Sequence, residues 1–114
     1  MGKRRVVLYG NSVIIGTVGT SLRRSPQYEV IPFSPVQQNE LEALAPDVVL
    51  FDLEAAQNEA VFSLLARHPA LLLIGLCPDT NLVKMWAGRQ MVELTTKGLV
   101  EAISKQLMTM EGSH

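Results

Sequence analysis

The carboxylate of Asp52 is the side chain in this sequence that is best placed to do chemistry. It stands near the end of an apolar run, residues 47–53, that follows Pro46 and has the composition of a buried strand. In a parallel α/β sheet, ligands bind outside the carboxyl ends of the strands. A carboxylate at such an end can accept a phosphoryl group, bind a metal or cap the next helix. Which of these roles Asp52 has depends on the side chains at the ends of the other strands.

Polar side chains also follow the other apolar runs. We expect them to lie near Asp52, outside the carboxyl ends of the strands. Lys97 is expected to extend toward Asp52, where it can form a salt bridge with the carboxylate. The rim of the resulting pocket comprises Asn11, Ser12, Glu54, Cys77, Asp79 and Thr96. A small ligand held by Asn11, Ser12, Asp52 and Thr96 is one use of this rim. The alternatives are a turn-and-cap role for Asn11 and Ser12 and a buried, unreactive Cys77.

Five apolar runs are the strands that would position these side chains, namely residues 5–9, 28–33, 47–53, 70–76 and 90–95. The first, third and fourth are continuously apolar, which is typical of strands covered on both faces. Glu29, Pro32 and Glu93 favour sheet edges for the second and fifth. The sequence therefore predicts an α/β, flavodoxin-like (βα)5 fold, a doubly wound parallel sheet of strand order 2-1-3-4-5.

Helical patterns separate the apolar runs, at residues 13–24, 39–46, 55–67, 81–88 and 99–110. Ser12 is the predicted N-cap of the first helix. Gly16 and Gly19 inside that helix each cost about 1 kcal/mol relative to alanine, which indicates a close approach of the helix to the sheet. The fourth pattern is a short helical turn that carries Leu82, Met85 and Trp86.

The composition limits the domain count and the classes of partner. We expect one domain, residues 1–110, with a C-terminal tail at 111–114. Ten basic and eleven acidic side chains nearly cancel, so no electrostatic attraction favours nucleic acid or a membrane surface. Cys77 is the only cysteine, and no apolar run reaches the roughly 18 residues of a membrane span. With no signal-peptide pattern, these features predict a cytoplasmic protein.

The third strand and the end of the fifth resemble parts of the receiver domains of two-component response regulators. Pro46-Asp-Val-Val-Leu-Phe-Asp52 is similar to the phosphoacceptor strand of that family, and Thr95-Thr-Lys97 is similar to its lysine-bearing strand end. The resemblance implies a phosphorelay role in which Asp52 accepts a phosphoryl group and Lys97 senses it. It also implies Mg²⁺ as the metal that assists the transfer.

The chain departs from the receiver pattern at the metal and switch positions. Receiver domains carry an acidic pair after the first strand, where this chain has Asn11 and Ser12. They carry Ser or Thr after the fourth strand, where this chain has Leu76 and Cys77. Mg²⁺ prefers oxygen ligands that include one or two carboxylates. We therefore expect no metal site and no cofactor, and Mg²⁺ only if Asp52 is phosphorylated.

These observations predict a stand-alone, receiver-like regulatory domain that is not an enzyme and acts by contact with a protein partner or a second copy. The alternatives are a phosphoacceptor that uses Asp52 and a small-ligand domain. The expected partner face comprises Met85, Trp86 and Met91, because Trp and Met are enriched in interface cores. A core position for Met85 beside a half-covered Trp86 is the other interpretation of that segment.

Overall fold

The computed structural model describes residues 4–10, 12–33, 42–53, 59–68, 70–77, 80, 82–87, 90–95 and 99–111. Six strands and three α-helices lie within these residues. The strands are β1 (Arg4–Tyr9), β2 (Tyr28–Phe33), β3 (Val48–Asp52), β4 (Leu72–Leu76), β5 (Leu82–Ala87) and β6 (Gln90–Thr95). The helices are α1 (Val13–Arg23), α2 (Glu59–Arg67) and α3 (Leu99–Glu111), and a 3₁₀ turn spans Glu42–Leu44.

The six strands form one mixed sheet of order β2-β1-β3-β4-β5-β6. Strand β1 pairs in parallel with β2 and β3, and β3 pairs in parallel with β4. Strand β5 is antiparallel to both of its neighbours, β4 and β6. The four parallel strands are therefore extended on one side by an antiparallel hairpin.

The predicted flavodoxin-like (βα)5 sheet of order 2-1-3-4-5 is wrong. Residues 82–87 form β5 instead of a helical turn, and β5 lies between β4 and the strand that was predicted to be its neighbour. Val83 and Met85 are buried on one face of the sheet, and Trp86 packs on the other. This is the two-residue alternation of a strand. Only two residues separate the paired Ala87 and Gln90, which is the usual length of a hairpin connection.

Two of the predicted helices also differ from the structure. Of the pattern at 39–46, the described residues form the 3₁₀ turn Glu42–Leu44. Of the pattern at 55–67, helix α2 is described from Glu59 to Arg67. The first and last helices agree with the prediction within a residue or two. None of the helices within the described residues is both long and apolar enough to cross a bilayer.

Both faces of the sheet are covered, and each carries its own hydrophobic cluster. Helices α1 and α3 pack on one face, where Ile15, Leu22 and Ile103 contact alternate side chains of the strands. Helix α2 packs on the other face, where Val61 and Leu64 join a cluster that includes Phe51. Double coverage explains why β1, β3 and β4 are apolar in consecutive positions.

Gly19 allows α1 to approach the sheet closely. A Cβ atom at Gly19 would lie 2.6 Å from Cδ1 of Leu8 on β1, a contact too short to form without movement. A Cβ atom at Gly16 would have no heavy atom within 4 Å. The predicted close approach is therefore confirmed for Gly19, whereas Gly16 has no such packing role.

Candidate functional site

A crevice is expected where the chain leaves β1 and β3 in different directions. From β1 the chain passes through α1 to β2 on one side, and β3 lies on the other side of β1. In open α/β sheets, ligands bind at such a reversal of strand order, outside the carboxyl ends of the strands. Tyr9 and Phe51 are paired in the sheet, so the residues that follow them, Gly10 and Asp52, lie next to each other.

Gly10 and Asp52 are in close contact at the carboxyl ends of β1 and β3, where the topology leads us to expect the crevice. Gly10 has φ 141°, a backbone conformation that is readily available only to glycine. A Cβ atom there would lie 3.1 Å from Oδ2 of Asp52 and 3.0 Å from Cδ1 of Ile15. The Asp52 carboxylate thus packs over the backbone of Gly10, at the point where the chain turns toward α1.

One oxygen of the Asp52 carboxylate is buried without a hydrogen-bond partner within the described part of the chain. Oδ1 has almost no exposed surface, although the residue as a whole is only half-buried. A buried acceptor that lacks a donor costs about 1–3 kcal/mol. A hydrogen-bond donor or a cation is the kind of group that would remove this cost.

Ser12 caps the helix that begins beside this carboxylate. Its backbone is extended, with φ −68° and ψ 155°, and its Oγ accepts a hydrogen bond from the Ile15 N–H at 3.3 Å. The side chain therefore has the role that the turn-and-cap alternative predicted. Its N-cap position also brings the positive end of the α1 dipole toward the loop after β1.

Replacing Ser12 by alanine is expected to lower the free energy of unfolding by about 1 kcal/mol, because the α1 N-terminus loses its side-chain acceptor. Urea denaturation followed by circular dichroism measures the change. Thr20→Ala is the matched control, since the exposed Thr20 hydroxyl donates to the Gly16 carbonyl inside the same helix. Equal stability of Ser12→Ala and the native protein would show that the cap contributes nothing.

The other residues of the predicted rim lie mainly outside the described residues. These are Asn11, Glu54, Asp79 and Thr96, together with Lys97. Cys77 is described, and it is half-buried instead of fully buried. Its N–H donates to the Leu82 carbonyl at 3.2 Å, so Cys77 belongs to the connection between β4 and β5.

The strand that leads to Lys97 lies farther from Asp52 than the predicted order implied. Strand β6 ends at Thr95 and is three strand positions from β3, because β5 intervenes. With neighbouring strands about 4.8 Å apart, this separation is about 14 Å instead of about 10 Å. A contact between Asp52 and Lys97 would therefore have to span a larger distance than the predicted strand order implied.

The described residues do not form a recognisable metal site. They contain no group of three or more His, Cys, Asp and Glu side chains that could hold an ion. Asp52 is the carboxylate that they bring to the crevice, and a single carboxylate is a poor start for the octahedral oxygen shell of Mg²⁺.

A second concavity lies at the other end of the strands, where β3 and β4 begin. Its carboxylate, Asp47, already has partners on β1. It has a volume of about 230 Å³ and is lined by Ala45, Pro46, Asp47, His68, Ala70 and Leu71. Oδ2 of Asp47 accepts a hydrogen bond from the Arg5 N–H at 2.9 Å, and Oδ1 lies 3.7 Å from the Arg4 guanidinium. These contacts join β1 to β3 and give Asp47 a structural role.

The predicted partner face divides between the two sides of the sheet. Met85 is buried beneath α1 and α3, as the core interpretation of that residue predicted. Trp86 points to the opposite side and is half-buried. Met91 is paired with Trp86 across the hairpin and is 46% exposed. Only Trp86 and Met91 can therefore belong to one surface.

Phe62 of α2 completes that surface, a residue that the sequence did not single out. Its ring packs edge-on against Trp86, with centroids 5.0 Å apart, and against the buried Phe51, at 5.6 Å. Phe62 is 37% exposed. We call Phe62, Trp86 and Met91 the aromatic face. The signal in the sequence was the apolar Phe62 within a helix whose buried positions are Val61 and Leu64.

Comparisons with known proteins assign neither a family nor an activity. No protein-family profile matches the chain, and no curated protein matches it significantly. A UDP-D-quinovosamine 4-dehydrogenase from Vibrio fischeri is similar in structure, with 13% sequence identity and a TM-score of 0.46. The alignment covers 86% of this chain and 98% of that one. At these values the similarity supports no statement about the substrate, cofactor or activity of this chain.

Proposed function

We propose that this chain is a non-enzymatic regulatory domain that acts by contact with another protein chain through the aromatic face. The observation that supports this proposal is that the half-buried Trp86 adjoins two exposed apolar residues: Phe62, which contacts its ring, and Met91, which is paired with it in the hairpin. Apolar side chains that are grouped on a surface, unlike scattered ones, are typical of interaction sites. The single cysteine agrees with a cytoplasmic location, which is part of the same proposal.

The aromatic face has the construction of an interface anchor. Trp86 is held by ring contacts with Phe51 and Phe62, so its side chain is fixed before a partner arrives. A fixed anchor loses little conformational entropy on binding. Interface residues that contribute most to affinity are enriched in tryptophan and are surrounded by side chains that exclude water. Phe62 contacts the Trp86 ring, and Met91 is opposite Trp86 on the same face of the sheet.

Site-specific photo-crosslinking tests the contact function. A photoreactive amino acid replaces Met91 in cells that naturally encode the protein, and the covalent adducts are identified by mass spectrometry. Val13 is the matched control position, because it is an apolar residue that is 86% exposed on α1, away from the aromatic face. We expect protein adducts at position 91 that are absent at position 13. Identical adducts at both positions, or none, would refute the proposal.

A small ligand at the Asp52 crevice is the second candidate function, and the unpartnered, buried Oδ1 favours it. The ligand would carry a hydrogen-bond donor or a positive charge near Gly10. Thermal-shift screening of amines, polyols and metal ions tests this candidate, since a ligand that binds the folded state raises the melting temperature by mass action. A stabilising compound that has no effect on Asp52→Asn would support it, and a screen without such a compound would refute it.

Phosphorylation of Asp52 makes use of the same carboxylate, and its test gives a clear expected result. We expect Mg²⁺ with beryllofluoride to leave the amide NMR signals of Gly10, Ser12 and Asp52 unchanged. The reason is that the described residues offer one carboxylate to the metal and so stabilise the phosphoryl charge poorly. Asp52→Asn is the control. Shifts in the native protein that vanish in this variant would replace the contact-only proposal with a phosphoacceptor function.

A further inference from the structure

The two edges of the sheet differ in how they are protected against pairing with another strand. Edge strand β2 contains the exposed Pro32, which has no N–H to donate, and Glu29, which is ion-paired with Arg5 at 3.6 Å. Proline and charge are common protections of an edge strand. The start of β2 is also joined to α3, because the Tyr28 hydroxyl hydrogen-bonds Oγ of Ser104 at 2.7 Å. Strand β2 is therefore a poor template for an added strand.

Edge strand β6 is less protected than β2, because Glu93 is its one charged residue. Residues Gln90–Thr95 contain neither proline nor lysine, and all six are paired with β5 without a bulge. Within the described residues, no strand lies beyond β6. Met91 is 46% exposed on one face of the sheet, and Val92 is 50% exposed on the other. An exposed edge strand that carries apolar side chains is a template for pairing with a strand of another chain.

We propose that β6 pairs with β6 of a second copy of this chain, in antiparallel orientation, to form a continuous twelve-stranded sheet. This inference rests on the proposed contact function and names its partner. Met91 of the aromatic face lies on β6, so the pairing places a second strand beside that face.

The sequence of β6 is complementary to itself in one register. Opposite residues of an antiparallel pair lie on the same face, so a twofold axis must pass between a residue and its own copy. Two such registers pair five of the six residues, with the axis at Val92 or at Glu93. The second places two glutamates directly opposite each other, which is destabilising. The first pairs Val92 with Val92 and Met91 with Glu93 of the second copy.

Pairing through β6 closes the assembly at two copies. The interface is isologous, so it uses the less protected edge of both chains, and the edges that remain are the two β2 strands, which proline and charge protect. A single pair of strands buries less surface than a standard interface of about 1,600 Å², so we expect a weak dimer that dissociates on dilution.

Sedimentation velocity over a concentration series tests the dimer. We expect the native protein to pass from monomer to dimer, and Val92→Lys to weaken the dimer by at least about tenfold, because two lysines would face each other at the axis. Val13→Lys is the matched control on an exposed site of α1 and is expected to leave the dimer unchanged. A native protein that stays monomeric throughout the concentration series, or a dimer that resists Val92→Lys, would overturn the proposal.

Disulfide trapping tests the register. The test uses a Cys77→Ala background, with oxidised glutathione as the oxidant. Val92→Cys is expected to form a disulfide-linked protein dimer faster than Glu93→Cys, because only residue 92 faces its own copy. Faster trapping of Glu93→Cys would refute this register. Self-pairing and the contact function can fail separately: a monomer that still gives position-91 adducts with a different protein refutes self-pairing alone. A monomer without specific adducts refutes both.

Discussion

Replacing Phe51 by alanine is expected to lower the free energy of unfolding by about 3–5 kcal/mol, the largest effect of any substitution considered. Phe51 has no exposed surface and lies on β3, which has strands on both sides. Its ring contacts Phe62 and Trp86, with centroids 5.6 Å and 5.9 Å away. The neighbouring strands are fixed by backbone hydrogen bonds, so the cavity left by the ring cannot collapse fully.

Phe62→Ala is the matched control for this substitution. Phe62 belongs to the same group of rings but is 37% exposed, so we expect a loss of only about 1 kcal/mol. Urea denaturation followed by circular dichroism is the suitable measurement, since the fluorescence of Trp86, the single tryptophan, would respond to both changes directly. Equal losses in the two variants would contradict the assignment of Phe51 to the core and Phe62 to the aromatic face.

Replacing Gly10 by alanine is expected to lower the free energy of unfolding by about 2 kcal/mol or more. Alanine rarely adopts the φ of 141° found here, so the backbone would be strained. The added methyl group would also press on Oδ2 of Asp52 and Cδ1 of Ile15, at 3.1 Å and 3.0 Å. The same substitution should therefore displace the Asp52 carboxylate.

Gly16→Ala makes the same chemical change with the opposite expected sign. Gly16 lies within α1, and a methyl group there would contact nothing within 4 Å. Alanine is the better helix former, so the free energy of unfolding should rise by about 0.5–1 kcal/mol. Thermal and urea denaturation of both variants provide the comparison. Destabilisation by Gly16→Ala, or tolerance of Gly10→Ala, would show that the conformation or surroundings of these glycines differ from those described.

The parallel part of the sheet was predictable from sequence because its signals are local and strong. Strands β1, β3 and β4 are continuous apolar runs, and glutamate and proline indicated an edge position for β2. The order of these four strands agrees with the prediction. The position of Asp52 at the end of a buried strand and the capping role of Ser12 follow from the same signals.

The antiparallel hairpin could not be predicted with the same certainty, because a six-residue segment fits two periodicities. Leu82, Met85 and Trp86 have helical spacing, but Val83, Met85 and Ala87 alternate as in a strand. Pairing with β4 on one side and with β6 on the other favours the strand over the helix, because it leaves no residue of β5 without a partner strand. These two pairings join segments whose positions in the sheet cannot be read from the sequence of β5 alone.

The sequence by itself determined which segments are buried and which residues end the central strands, because burial and capping depend on the order of apolar and polar residues along the chain. Only the tertiary structure decided which of these residues meet. It placed Met85 and Trp86 on opposite faces, since successive side chains of a strand alternate, and it packed Asp52 against Gly10, since β1 and β3 are neighbours. It also moved β6, the strand that precedes Lys97, one strand farther from Asp52, because β5 pairs between β4 and β6.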